Sequence, residues 1–141
     1  MTTFSALARI CGLSQTEIVE LLSVSSEALQ AWLTGNPHAP PGALDAIHKL
    51  VSTQHRAASE GAAVILARLY EHGMPEAIEL GAATDDHEAR SLGWPTASAH
   101  LATLGMTIAM LPPDLAERIR VVPRGSTPAS AAAEKSHIDW T

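Results

Sequence analysis

The chain has 141 residues, 46% apolar and 17% charged, which suits one domain or two small ones with a hydrophobic core and excludes a disordered coil. Nine Lys and Arg against fifteen Asp and Glu give a net charge of -6, so long-range repulsion opposes indiscriminate polyanion binding, although a local basic face stays open. A single cysteine, Cys11, excludes an intrachain disulfide and a four-cysteine zinc site, and its apolar neighbours point to a buried thiol in a reducing compartment.

In chain order, "FSALARICG" sets Leu7 and Ile10 at helical spacing and ends on Gly12, a two-turn helix. Ser14 with Glu17 three residues later forms a capping box for a second helix, whose apolar face is Ile18, Leu21 and Leu22. "SVSS" then turns the chain. Ser25 or Ser26 caps a third helix, with Leu29, Trp32 and Leu33 at helical spacing and Gly35 as its stop. After the proline loop "NPHAPPG" the chain is helix-prone from Gly42 to about His72, and Gly61 marks an expected break into two.

Past Gly73 the texture changes. "EAIELG", "MTIAML" and "RVVP" predict short strands, "GWPTASAHLATLG" a capped helix, and "PPDLAERI" a helix starting on prolines. From Gly125 the composition is that of a flexible tail, in which "HIDWT" could dock back through Trp140. The fold class expected is therefore mostly α (α+β): a helix-turn-helix bundle over residues 1–72, a small α+β dimerisation unit over 73–124, and a tail over 125–141.

The second and third helices, joined by a turn of about three residues, have the spacing of a helix-turn-helix. Ile18, Leu22, Val24, Leu29 and Trp32 fall at the inward positions, leaving Ser26, Glu27, Gln30 and Ala31 outward. The same periodicity also fits an ordinary helical hairpin in a core. Catalytic motifs are missing: no G-x-S-x-G elbow, no Walker loop, no H-E-x-x-H. Ser98 with His100 has no orienting third group, so the chain is expected not to be an enzyme. His48 and His55 could share a helix face, but zinc needs three or four convergent ligands. No metal, cofactor or small-molecule effector is expected. Asp85, Asp86, His87 and Glu88 suit the acidic first turn of a helix. No apolar run reaches the about 18 residues that span a bilayer and no signal-like segment opens the chain, so a cytoplasmic location without a membrane partner is expected.

"GLSQTEIVELLSVSSEALQAWLTG" followed by "PHAPP" resembles the phage-repressor and Cro-type helix-turn-helix family, whose pattern is Leu-Ser-Gln, an apolar helix, Val-Ser and a capped second helix ending in Gly. Val24, Ser25, Gln30, Trp32, Gly35 and Pro40, with "LGWPTASAHLATL" farther on, are similar to the anti-CRISPR-associated repressors, a group with a C-terminal dimerisation domain. The resemblance implies a homodimeric, sequence-specific repressor of double-stranded DNA, acting on its own operon. Its DNA-facing residues would be Gln15, Ser25, Ser26, Glu27, Gln30 and Ala31. Three positions depart from the pattern: Val19 stands for a small Ala, Ser23 for the turn Gly, and Glu27 where Arg or a neutral residue is usual. With no Lys or Arg on the third helix, an alternative stays open in which the motif has lost DNA and serves as a protein-interaction or antitoxin-like module. A two-fold dimer through residues 74–122 would set the two recognition helices about 34 Å apart, one turn of DNA.

Overall fold

The computed structural model describes residues 1–125 and 138–140. Helix α1 (Thr3–Ile10) begins with a reciprocal cap, the Thr2 hydroxyl accepting the Ser5 N–H at 3.1 Å and the Ser5 hydroxyl accepting the Thr2 N–H at 3.0 Å. Gly12 ends this segment at φ +85°. A Cβ there would stand 2.6 Å from Ala102 Cβ and 2.7 Å from the Ser98 carbonyl oxygen, so glycine answers both to backbone conformation and to close packing. Helices α2 (Gln15–Leu22) and α3 (Ser26–Thr34) follow where the capping residues put them.

Helix α4 (Pro41–His72) is one unbroken rod of 32 residues, with proline at its first position, where no N–H is needed. The break expected at Gly61 does not occur. A Cβ at this position would lie 3.4 Å from Thr107 Cγ2, so the glycine serves the approach of a neighbouring helix without interrupting its own.

The rest is β1 (Ile78–Ala82), α5 (Asp86–Ser91), α6 (Ala97–Ala109), the single turn α7 (Pro113–Ala116), β2 (Ile119–Pro123) and β3 (Ile138–Trp140). The sheet runs β2-β1-β3, with β1 parallel to β2 (Ile78 opposite Ile119) and antiparallel to β3 (Ile78 opposite Trp140). Mostly helical with one small sheet, the chain is α+β as its patterning indicated. The backbone of 138–140 thus docks on the sheet, while the other residues assigned to the flexible tail, 126–137 and 141, lie outside the described residues.

"MTIAML" corrects one expectation: it forms the end of α6 and the turn after it, not a strand. Its β-branched Thr107 is accommodated in the helix, its hydroxyl donating back to the Thr103 carbonyl at 2.9 Å, and Leu111 is buried, as is Leu104 just before the segment. Burial of one helical face outweighs local strand preference.

Two apolar clusters hang on α4. The first joins Phe4, Cys11, Ile18, Leu29 and Ile47 with Ala99 of α6, and the second joins Ala62 and Ile65 with Ile78, Leu80, Leu104 and Leu115. Phe4 meets Trp32 edge to face at a ring separation of 5.9 Å. Among the described residues no helix is long and apolar enough to cross a membrane.

Candidate nucleic-acid interface

The candidate interface is built from local rules. Ser14 caps α2 and Glu17 returns the bond, its carboxylate accepting the Ser14 N–H at 2.8 Å. Ser23, the position that departs from a turn glycine, adopts φ 54° and ψ 49°, the left-handed conformation that glycine would occupy without strain. Ser25 caps α3, its Oγ accepting the Ala28 N–H at 3.1 Å and its hydroxyl hydrogen remaining to donate.

The structure brings the named side chains to one region. Gln15 opens α2, and Gln30 lies one turn into α3. The Gln30 amide donates to the Gln15 side-chain oxygen, joining the two helices on their solvent side. Ser26, Glu27 and Gln30 are exposed, as are Gln15 and Ser25, whereas Ala31 is half-buried. Its carbonyl accepts from the Thr34 hydroxyl at 2.8 Å and the Asn36 N–H at 3.0 Å. Of the expected inward residues, Ile18 and Leu29 are buried and Leu22, Val24 and Trp32 half-buried. Glu27 sits in the first turn of α3, where the helix dipole favours a negative charge by about 0.3 to 1 kcal/mol. It therefore has a structural use regardless of what the face contacts.

Two polar residues that tie the motif to the rest of the chain were not among those singled out in this role. Gln54 on α4 is fully buried, its amide donating to the Cys11 carbonyl at 2.8 Å and the Ala99 carbonyl at 3.0 Å. Its place in the row Ile47, Val51, Gln54, Ala58, Ala62, at steps of three and four, was the available sign that it faces the core. Ser98 Oγ donates to Glu17 at 3.0 Å, linking the N-terminus of α6 to the cap of α2. His100 is aimed elsewhere: its Nδ1 accepts the Ala83 N–H at 3.0 Å and its ring stacks on Trp94. Ser98 and His100 thus serve separate contacts.

Cys11 is fully buried and donates to the Ala8 carbonyl at 3.2 Å. Burial pushes its thiol above the ordinary range, which disfavours the reactive thiolate. Asp85 caps α5 by accepting the Glu88 N–H at 2.8 Å, so the acidic run is a helix start. Among the described residues no three His, Cys, Asp or Glu converge to hold a metal ion. Comparison with family models, curated proteins and solved structures finds no match to this chain.

Proposed function

We propose that the chain is a sequence-specific DNA-binding repressor that acts as a homodimer on a palindromic operator, including one upstream of its own gene. The observation that carries this reading is the shared solvent face of α2 and α3, where Gln15, Ser25, Ser26, Glu27 and Gln30 are exposed and the two glutamine amides are joined. A glutamine amide matches the donor and acceptor pair of adenine in the major groove, and a carboxylate accepts from the cytosine amino group. The free N–H groups at the starts of α2 and α3 suit phosphate oxygens, so affinity need not come only from Lys and Arg.

One observation favours a second reading. From Gln15 to Thr34 the chain carries Glu17, Glu20 and Glu27 and no basic residue, a composition that suits a protein-binding module. The experiment that separates them is titration of the protein with its own upstream DNA and with random duplex at two salt concentrations. The repressor reading expects operator binding that exceeds random binding at both salts, and an absence of binding at moderate salt refutes it. Light scattering tests the assembly: a monomer at micromolar concentration, with and without DNA, refutes the dimer.

A further inference from the structure

We propose that the open groove between α2, α4 and the turn joining α5 to α6 is a binding site for a small organic anion with an apolar body. The groove is open to solvent and has a volume of about 540 Å³, room for a small molecule that leaves one side exposed. Its apolar walls come from three places in the chain: Leu21 at the end of α2, Leu50 on α4, and Trp94 with Pro95 before α6. Trp94 is braced from outside the groove, its ring stacked on the buried His100 at 6.3 Å and 22°. A braced aromatic wall costs little ordering on binding.

Charge selects the occupant. Lys49 of α4 and Arg90 of α5 line the groove, and no Asp or Glu does. Among the described residues neither cation forms a salt bridge. In a chain of net charge -6, two exposed cations from separate elements thus line one groove whose own lining holds no carboxylate, which favours an anion there. The Thr53 hydroxyl is already committed to the Lys49 carbonyl at 2.8 Å, so the strong polar groups left for a ligand are the ammonium and the guanidinium. A carboxylate held between them gains charge-assisted hydrogen bonds, bidentate at the arginine, while its apolar part covers Leu21, Leu50 and Trp94. Neither cation belongs to α2 or α3, and Leu21, the wall residue on α2, is not among the proposed DNA contacts.

The test uses the full chain without DNA and phenylacetate as the probe, with phenylacetamide as its neutral counterpart. Calorimetry and tryptophan fluorescence are expected to show saturable phenylacetate binding, about tenfold or more tighter than phenylacetamide. The double substitution Lys49→Gln with Arg90→Gln is expected to remove that preference while the circular dichroism spectrum is unchanged. Leu21→Glu, at a side chain already 42% exposed, places a carboxylate at the wall and is expected to abolish phenylacetate binding. Equal affinity for the amide, no saturation, or a double substitution without effect overturns the proposal. So does loss of random-duplex affinity in the double variant with no phenylacetate binding by the native chain, which would make the two cations phosphate contacts.

Discussion

The Gln30 side-chain amide donates to the side-chain oxygen of Gln15, so the first residue of α2 and the exposed face of α3 present their amides as one unit. A base edge read by Gln30 would then depend on Gln15 holding its amide in place. Gln30→Ala is expected to cost about 1 to 3 kcal/mol at the operator and little at random DNA. Gln15→Ala should lose part of the same specificity, and the double substitution should lose less than the sum. Binding isotherms for the four proteins measure this, and strict additivity would show that the pair does not act together.

Glu27 divides specific from indiscriminate affinity. Its carboxylate is repelled by phosphates yet can accept from cytosine, so Glu27→Ala is expected to preserve or raise random-duplex binding while narrowing the operator preference by about 1 to 3 kcal/mol. If Glu27→Arg creates DNA affinity where the native protein has none, the protein-binding reading stands and the repressor reading falls. A slight loss of stability in both variants is expected, since the charge at the start of α3 is lost or reversed.

Ser23 holds a left-handed backbone at φ 54° between the two helices. The conformation costs an L-residue about 1 to 2 kcal/mol, partly offset by the lower unfolded-state entropy of serine compared with glycine. Ser23→Gly is therefore expected to stabilise the fold by about 0.5 to 1 kcal/mol. Urea unfolding reads this as a higher midpoint with an unchanged slope, and a lower midpoint contradicts the strain.

Gln54→Ala removes both donations that join α4 to the end of α1 and the start of α6. The buried Cys11 carbonyl loses this donor and a cavity opens, while the Ala99 carbonyl keeps the Thr103 hydroxyl. The buried Gln54 Oε1, unpartnered among the described residues, is removed with the side chain, so the loss expected in denaturant unfolding is about 1 to 3 kcal/mol. A loss below half a kilocalorie would mean that water or backbone movement replaces the amide.

The contrast between Gln54 and Ser14 shows what could be read from the chain in advance. Ser14, Glu17, Ser25 and Gly35 act on backbone within four residues, so their caps follow from local chemistry. The partners of Gln54 lie 43 and 45 residues away, and only the assembled core makes a polar residue on that face favourable. "MTIAML" misleads for the same reason, because its helical state depends on the burial of Thr103, Leu104 and Thr107. At the candidate site, exposure of Ser26, Glu27 and Gln30 followed from helical period. The partial covering of Ala31 and the amide link depend on how α2 meets α3.

Cys11 gives a pH signature. Its thiol ionises at higher pH in the folded chain than in the unfolded one, so its contribution to stability is complete below the unfolded value and is lost as pH rises through that range. Stability is expected to fall above about pH 8.5, and less steeply in Cys11→Ala, when urea midpoints are compared across pH. Alkylation by iodoacetamide in the native state should be slow and should accelerate with denaturant, whereas rapid native alkylation would contradict the burial.

The continuity of α4 constrains the gene as well as the protein. One codon inserted between Ile47 and Gln54 would turn the rest of the rod by about 100° and advance it by about 1.5 Å. Ala58, Ala62 and Ile65 would rotate away from their seats. Helix α6 cannot follow, because it is pinned at two heights, by Ala99 in the first cluster and Leu104 in the second. Along its exposed side α4 can accept many exchanges of one residue for another, but its reading frame of contacts admits no change of length.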